Sequence, residues 1–397
     1  MNRNAPYLNF RSLIFILCFT SLLHFACKKN DTPSNDPGDN YHTDTSYKYP
    51  LSKGINLSNW FNDFSDPAQF PNRFTNEHFS LLKQLGFTYV RIPIGQFILF
   101  NQNNPAELKA ANLSYVESAV QKAIDHGLAV TLNYHPASND FEKTLPSSTV
   151  NQNKLAEYWK AVANHFKHYA TTRMFFEVYN EPHVASDGTV AYAKTWWTAV
   201  QLKLVKAIRS VAPEHFIITG GEGWNSIDGL LLLVPYKQNN IVYNFHYYDP
   251  FTFTHQGASW AGELMSRLRN IPYPSTPENV APITDTTTDQ EVVDLVSWYG
   301  QERWNKSKLE TGIKRVANWA ASNNAAVICN EFGSYMEFAP RQGRLNLISD
   351  IRSLMEENNI GWAMWEMDEG FGFINYLGND RTSFTTDNEV LHSLGLK

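Results

Sequence analysis

The sequence predicts an α/β chain folded as one (β/α)₈ barrel of the TIM type. Three observations lead there. From Leu51 onward, short apolar runs alternate with longer amphipathic segments. The strand candidates number eight, the count that closes such a barrel. Almost every candidate ends in a polar cluster, as expected where strand ends gather into one rim.

The strand candidates are residues 54–58, 89–94, 129–134, 175–179, 216–219, 241–246, 326–330 and 362–365. Several are β-branched or aromatic and apolar on both faces, as strands covered on both sides should be. Helical periodicity marks 77–85, closed by Gly86, and 115–126, closed by Gly127. It also marks 154–169, 192–211 and 309–321. Residues 271–289, rich in Pro and Thr, read as a long loop after strand six; with 290–305, an extra helix, they are expected to wall a cleft. An open doubly wound sheet is the alternative. No glycine-rich nucleotide fingerprint follows the first strand, which disfavours it.

The 43% of hydrophobic residues supports a substantial core. A net charge of −6 without a basic stripe argues against nucleic acid as a partner. The 14% of aromatic residues, 11 of them Trp, fits either a large core or a cleft whose rings stack on sugars. The three cysteines give no disulfide framework: Cys18 lies in the leader, and Cys329, in an apolar run, is expected as a small buried hydrophobe.

Residues 1–27 read as a secretory signal. Arg3 and Arg11 supply the positive start, and the 14 residues 13–26 are mostly apolar but too few to span a bilayer. Ala26 before Cys27 resembles a bacterial lipoprotein cleavage site, which implies a lipid on Cys27 and a place at the outer membrane or cell surface. Ordinary cleavage, leaving a periplasmic or secreted chain with a free thiol, is the alternative. Residues 28–46 are polar and read as a flexible linker, leaving 47–397 as a single catalytic domain.

The polar strand ends carry the chemistry. They include Asn56-Leu57-Ser58-Asn59-Trp60, Arg91, Asn133-Tyr134-His135, Asn180-Glu181-Pro182, Glu222, His246-Tyr247-Tyr248-Asp249, Asn330-Glu331 and Trp365-Glu366. Strands four and seven both end in Asn-Glu. In a barrel Glu181 and Glu331 then face each other, and facing carboxyls are what glycosidic cleavage needs: one protonated for the leaving oxygen, one ionised to attack or to activate water.

At this point the residues resemble glycoside hydrolase family 5, the cellulase- and endoglucanase-like members of a clan of retaining barrels. The ordered set is Arg91, His135, Asn180, Glu181, His246, Tyr248, Glu331 and Trp365, and the likeness runs from about Leu51 to the C-terminus. The resemblance implies Glu331 as nucleophile, held by Arg91 and Tyr248, and Glu181 as acid/base. It implies Asn180 on the sugar 2-hydroxyl, His135 and His246 around the subsite before the scissile bond, and Trp365 as its stacking floor. Trp60, Trp224 and Trp260 are outer-subsite candidates, each equally readable as packing. Glu222 is a supporting guess.

No metal-ligand spacing is present, so neither metal nor cofactor is expected. The segment from His246 to Phe251, with Thr254-His255-Gln256-Gly257 and Trp260, resembles family members acting on β-1,4-glucan. An endo-β-1,4-glucanase working as a monomer on a β-linked polysaccharide is therefore expected. β-Mannan, xyloglucan and β-1,3-glucan stay open as substrates, as does endo against exo action. A surface glycan-binding lipoprotein on an inactive barrel is the non-enzyme alternative.

Overall fold

Eight parallel strands close into a barrel in chain order in a computed structural model, which describes residues 43–137, 139–183, 196–378 and 381–397. The strands are β1 (Lys53–Asn56), β2 (Tyr89–Gly95), β3 (Ala129–His135), β4 (Met174–Glu177), β5 (Ile217–Gly220), β6 (Ile241–Tyr247), β7 (Ala326–Phe332) and β8 (Gly361–Met364). Each lies within two residues of its expected bounds. The described residues belong to one unit, Tyr41–Lys397. The expected signal, Cys27 and most of the expected linker lie outside the described residues. Residues 43–46 of that linker are docked: the Thr43 hydroxyl donates to the Ile241 carbonyl at 2.9 Å, and Thr45–Tyr47 forms a 3-10 turn with Tyr47 buried.

Helices follow the strands. Asn76–Leu85 stops at Gly86, whose φ of 102° is a left-handed conformation that glycine enters without a Cβ clash. The helices Ala110–Asp125, Thr149–Phe166 and Lys306–Ser322 bury one apolar stripe each against the barrel. The fourth expected helix is described as Trp196–Arg209; its expected first residues lie outside the described set. Arg341–Glu357 was not among the expected helices. It opens on Pro340, and Gly343 with a buried Arg344 interrupts its apolar rhythm. Arg344 bonds the carbonyls of Ser334, Phe371 and Gly372, so this helix clamps the loops after β7 and β8.

The extra helix expected over 290–305 is present as Gln290–Gln301, but the expected loop 271–289 holds a second helix, Pro277–Thr284, capped by Thr276 with Pro277 in its first turn. Val280, Val292, Val296 and Tyr299 bury a common apolar face, so the segment packs as an outer layer. The cleft wall comes instead from residues 247–261.

The barrel interior is layered. Its lower part is apolar, with Phe175, Phe216, Ile218, Val242 and Ile328 around Tyr89. Gly54 makes room for that ring: a Cβ there would stand 2.3 Å from Tyr89 Cζ. The Tyr89 hydroxyl donates upward to Asn330 Oδ1 at 3.0 Å, where a polar layer begins.

Trp60 corrects the expectation of an outer subsite. It is 1% exposed, stacks on Phe61 at 4.6 Å, meets Phe74 edge-on at 5.2 Å, and donates its indole N–H to the Phe70 carbonyl at 2.9 Å. The strand-one loop turns it inward because it completes an aromatic core cluster. Trp60→Phe, which strands that buried carbonyl, is expected to cost about 1–3 kcal/mol in urea unfolding and leave kcat/KM on polysaccharide unchanged. A lower kcat/KM at undiminished stability would return Trp60 to the cleft.

Candidate active site

Arg91 sits on the barrel axis with no exposure and five N–H donors to place. Each has an acceptor. Nε and one terminal nitrogen grip Glu177 at 2.8 and 2.9 Å. The others reach Asn56 Oδ1 at 2.8 Å, Asn180 Oδ1 at 2.8 Å and Glu331 Oε1 at 2.7 Å. One guanidinium thus ties β1, β2 and β7 to the C-terminal end of β4 and the segment just beyond it. Its two carboxylates hold its pKa above the ordinary value against the opposing effect of burial.

β7 brings Glu331 there by a bulge. Phe245 pairs with Cys329 while His246 pairs with Glu331, skipping Asn330. The register to β8 shifts over the same residues. The extra residue lets neighbouring side chains both turn toward the axis. Asn330 meets Tyr89 and Glu177, and Glu331 meets Arg91 and, at 3.0 Å, the Tyr248 hydroxyl. Cys329, just before, is buried as a free thiol.

Glu181 reaches the rim from beyond the end of β4. Its backbone is left-handed, with φ 48°, a conformation costing a non-glycine residue roughly 1–2 kcal/mol. The neighbouring Asn180 N–H is fixed on the Tyr134 carbonyl at 2.8 Å. Glu181 Oε1 lies 2.8 Å from His246 Nδ1, which stands 3.5 Å from Glu331 Oε2. One carboxyl oxygen of each glutamate and that nitrogen all lie within 4.8 Å of one another. The Glu181 side chain is 29% exposed and the Glu331 side chain 6%: the first is open to an incoming molecule, the second sits at the floor.

Burial of the Glu181 carboxyl pushes its pKa up to about 7, against the pull of Arg91 and His183. Burial also raises Glu331; His246, Arg91 and the Tyr248 hydroxyl oppose the rise. The His246 ring is pushed down to about 4, chiefly by burial, and His135 to about 3, by burial and then by Arg91 and His246. Both imidazoles are neutral near pH 7.

The remaining expected residues fall around this pair. Asn180 has its oxygen on Arg91, which leaves Nδ2 facing His135 Nε2 at 3.4 Å. His135 stacks on Trp365 at 5.9 Å and 21°. Trp224 is 46% exposed and stacks on His183 at 4.7 Å. Trp260 is 62% exposed and stands edge-on to Tyr335 at 4.8 Å. A cleft of about 1130 Å³ joins the two glutamates to Trp224, Trp260 and Trp365. Glu222 accepts from the Trp196 indole at 2.8 Å and lines a separate hollow with Trp197.

Several working residues were not singled out from sequence. Glu177, the bidentate partner of Arg91, also accepts from Asn330 Nδ2 at 2.8 Å and Asn244 Nδ2 at 3.2 Å. A lone charge inside Phe175-Phe176-Glu177-Val178 was the available signal. Glu366 lies on the cleft beside Trp365, across a cis peptide, and accepts from the Ser58 hydroxyl. Burial pushes it up to about 8. Glu181, His246 and Glu331 are also the residues that would hold a cation. All three are engaged with one another, and a guanidinium stands on Glu331, so they read as proton-handling groups.

A closed parallel barrel with one glutamate just beyond β4 and another near the end of β7, meeting over a buried arginine, defines a glycoside hydrolase of the (β/α)₈ class. The chain belongs to the cellulase family, glycosyl hydrolase family 5, whose model matches residues 43–370. It is 29% identical over 340 residues to Endoglucanase 3 of Fibrobacter succinogenes, covering 82% of this chain but only 50% of that one. To Endoglucanase C of Acetivibrio thermocellus it is 29% identical over 321 residues, covering 79% and 90%. Among solved structures, endoglucanase Cel5A from Thermotoga maritima superimposes with a TM-score of 0.70 at 26% identity, over 88% of this chain and 98% of that one.

Proposed function

We propose that this chain is an endo-β-1,4-glucanase that cleaves with retention of anomeric configuration. One observation carries the mechanism: oxygens of Glu181 and Glu331 approach within 4.8 Å. Retaining enzymes hold their carboxyls about 5–5.5 Å apart, whereas inverting ones leave about 6.5–9.5 Å for a water.

Glu331 attacks the anomeric carbon while Glu181 gives its proton to the departing glycosidic oxygen. The glycosyl–enzyme ester is then opened by water, whose proton returns to Glu181 as Glu331 leaves ionised. Arg91 and Tyr248 aim the attacking carboxylate and favour its charge. Asn180, its oxygen occupied by Arg91, offers Nδ2 to the sugar 2-hydroxyl. Trp365 supplies the floor for that sugar.

The substrate assignment is supported by the endoglucanase relatives. Endo action is supported by exposed rings on both flanks: Trp224 beside His183 on the Glu181 side, and Trp260 beside Tyr335 on the Glu331 side. Reducing-sugar release should be greatest on carboxymethyl-cellulose, lichenan and glucomannan, with a rapid fall in viscosity. Preference for galactomannan, xyloglucan or laminarin would move the substrate. Binding without release from any polymer would favour a glycan-binding protein.

The pH profile has a definite sign. Glu181 must be protonated, so kcat/KM is lost as pH rises through about 7. Glu331 must be ionised, so activity is lost as pH falls through its pKa, which burial lifts above the ordinary glutamate value. A bell with its basic limb near 7 is expected. A plateau extending to pH 9 would contradict the assignment of Glu181.

The amino-terminal segment supports export with Cys27 as the lipid anchor. A metabolic lipid label is expected on the full chain and absent from Cys27→Ala. No label on the wild type, or label persisting in the variant, would overturn it.

A further inference from the structure

We propose that Asn244 fixes His246 as the tautomer with its hydrogen on Nδ1, and thereby places the transferable proton of Glu181 on Oε2. This deepens the functional reading and rests on Glu181 being the acid/base.

Asn244 lies on β6, fully buried, two residues before His246. Its Oδ1 accepts the backbone N–H of Asn330 at 2.9 Å. A backbone donor cannot exchange roles, so the amide has one orientation. Its Nδ2 then faces Glu177 Oε1 and His246 Nε2, each at 3.2 Å. Glu177 is surrounded by donors from Arg91, Asn330 and Asn244, so it can only accept. Both Asn244 hydrogens are thereby assigned, and His246 Nε2 receives one of them. Asn225 Nδ2 also faces Nε2, at 3.5 Å. Its own oxygen lacks a partner, so Asn244 is the pinned group.

A neutral imidazole has one N–H and one bare nitrogen. With Nε2 accepting, Nδ1 carries the hydrogen and donates to Glu181 Oε1 at 2.8 Å. The other tautomer would set N–H against the amide hydrogens and a bare nitrogen between two carboxyls. A protonated Glu181 that accepts on Oε1 must hold its proton on Oε2. The other groups facing this carboxyl are Arg91 below, Glu331 and Tyr248 across the cleft and His183 from its own loop.

The tautomer is readable without substrate. Nitrogen-15 spectra of histidine-labelled wild-type protein should show His246 protonated at Nδ1 and bare at Nε2; the opposite pattern would overturn the proposal. Asn244→Leu removes the pinned donor without adding charge. A bare Nδ1 then draws the acid proton onto Oε1, so kcat should fall by about ten- to a hundredfold. The basic limb of kcat/KM should also move to higher pH, because a donated hydrogen bond to the carboxylate has been lost. A space-filling role would lower kcat and leave that limb in place, which would also overturn the proposal. If the variant does not fold, the wild-type spectra decide. Failure of the functional reading looks different: a wild type with the expected tautomer that hydrolyses no glucan.

Discussion

Glu331→Ala is expected to lower kcat on glucan by on the order of 10⁴-fold or more. It should regain turnover with azide, giving a glycosyl azide of inverted configuration. The loss is large because the replaced group forms the bond on which both chemical steps depend. Azide fits the space vacated by the carboxylate and approaches carbon from the same face, so one displacement replaces two. Glu181 remains available to protonate the leaving oxygen. The measurement is kcat with and without azide, together with the anomeric configuration of the product by proton NMR. Rescue with retained configuration would assign the nucleophile elsewhere.

Arg91→Leu should cost about 3–5 kcal/mol of stability, read by urea unfolding, because it leaves Glu177 and Glu331 buried without their cation. Whatever folds should be inactive at neutral pH. Removing the guanidinium takes away a group that opposes the burial-driven rise of Glu331, so the acid limb moves upward. Arg91→Lys separates the two effects. Its ammonium keeps the charge but has three donors for five acceptors, so it should recover much of the stability. Misdirection of Glu331 should still cost about 10²-fold in kcat. Full activity in Arg91→Lys would show that charge alone is enough.

The strands were legible because a strand buried on both faces leaves a compact apolar signature, and here each ended in a polar cluster. The helix stops at Gly86 and Gly127 were legible because left-handed caps favour one residue type. The paired Asn-Glu ends marked the rim. What escaped depends on distance. Glu177, Asn244 and Asn56 gain their roles only from the guanidinium and the amide they meet across the barrel; the lone charge of Glu177 in an apolar run and the place of Asn56 at a strand end were local hints that did not say what either would touch. Trp60 misled for the reverse reason. It sits beside rim residues in sequence, yet the loop after β1 folds its ring inward among Phe61, Phe70 and Phe74. The helix Pro277–Thr284 was obscured by the Pro and Thr content of 271–289, which caps a helix as readily as it builds a loop.

The doubled inward turn at Asn330 and Glu331 bears on any attempt to transplant this strand or to rebuild it by design. A template that counts residues by ideal pleat would come out one position short there. It would deliver the attacking carboxylate to the helical shell and leave an amide at the reaction centre, even though every other position matched. For this fold, copying the irregularity matters more than copying the letters around it.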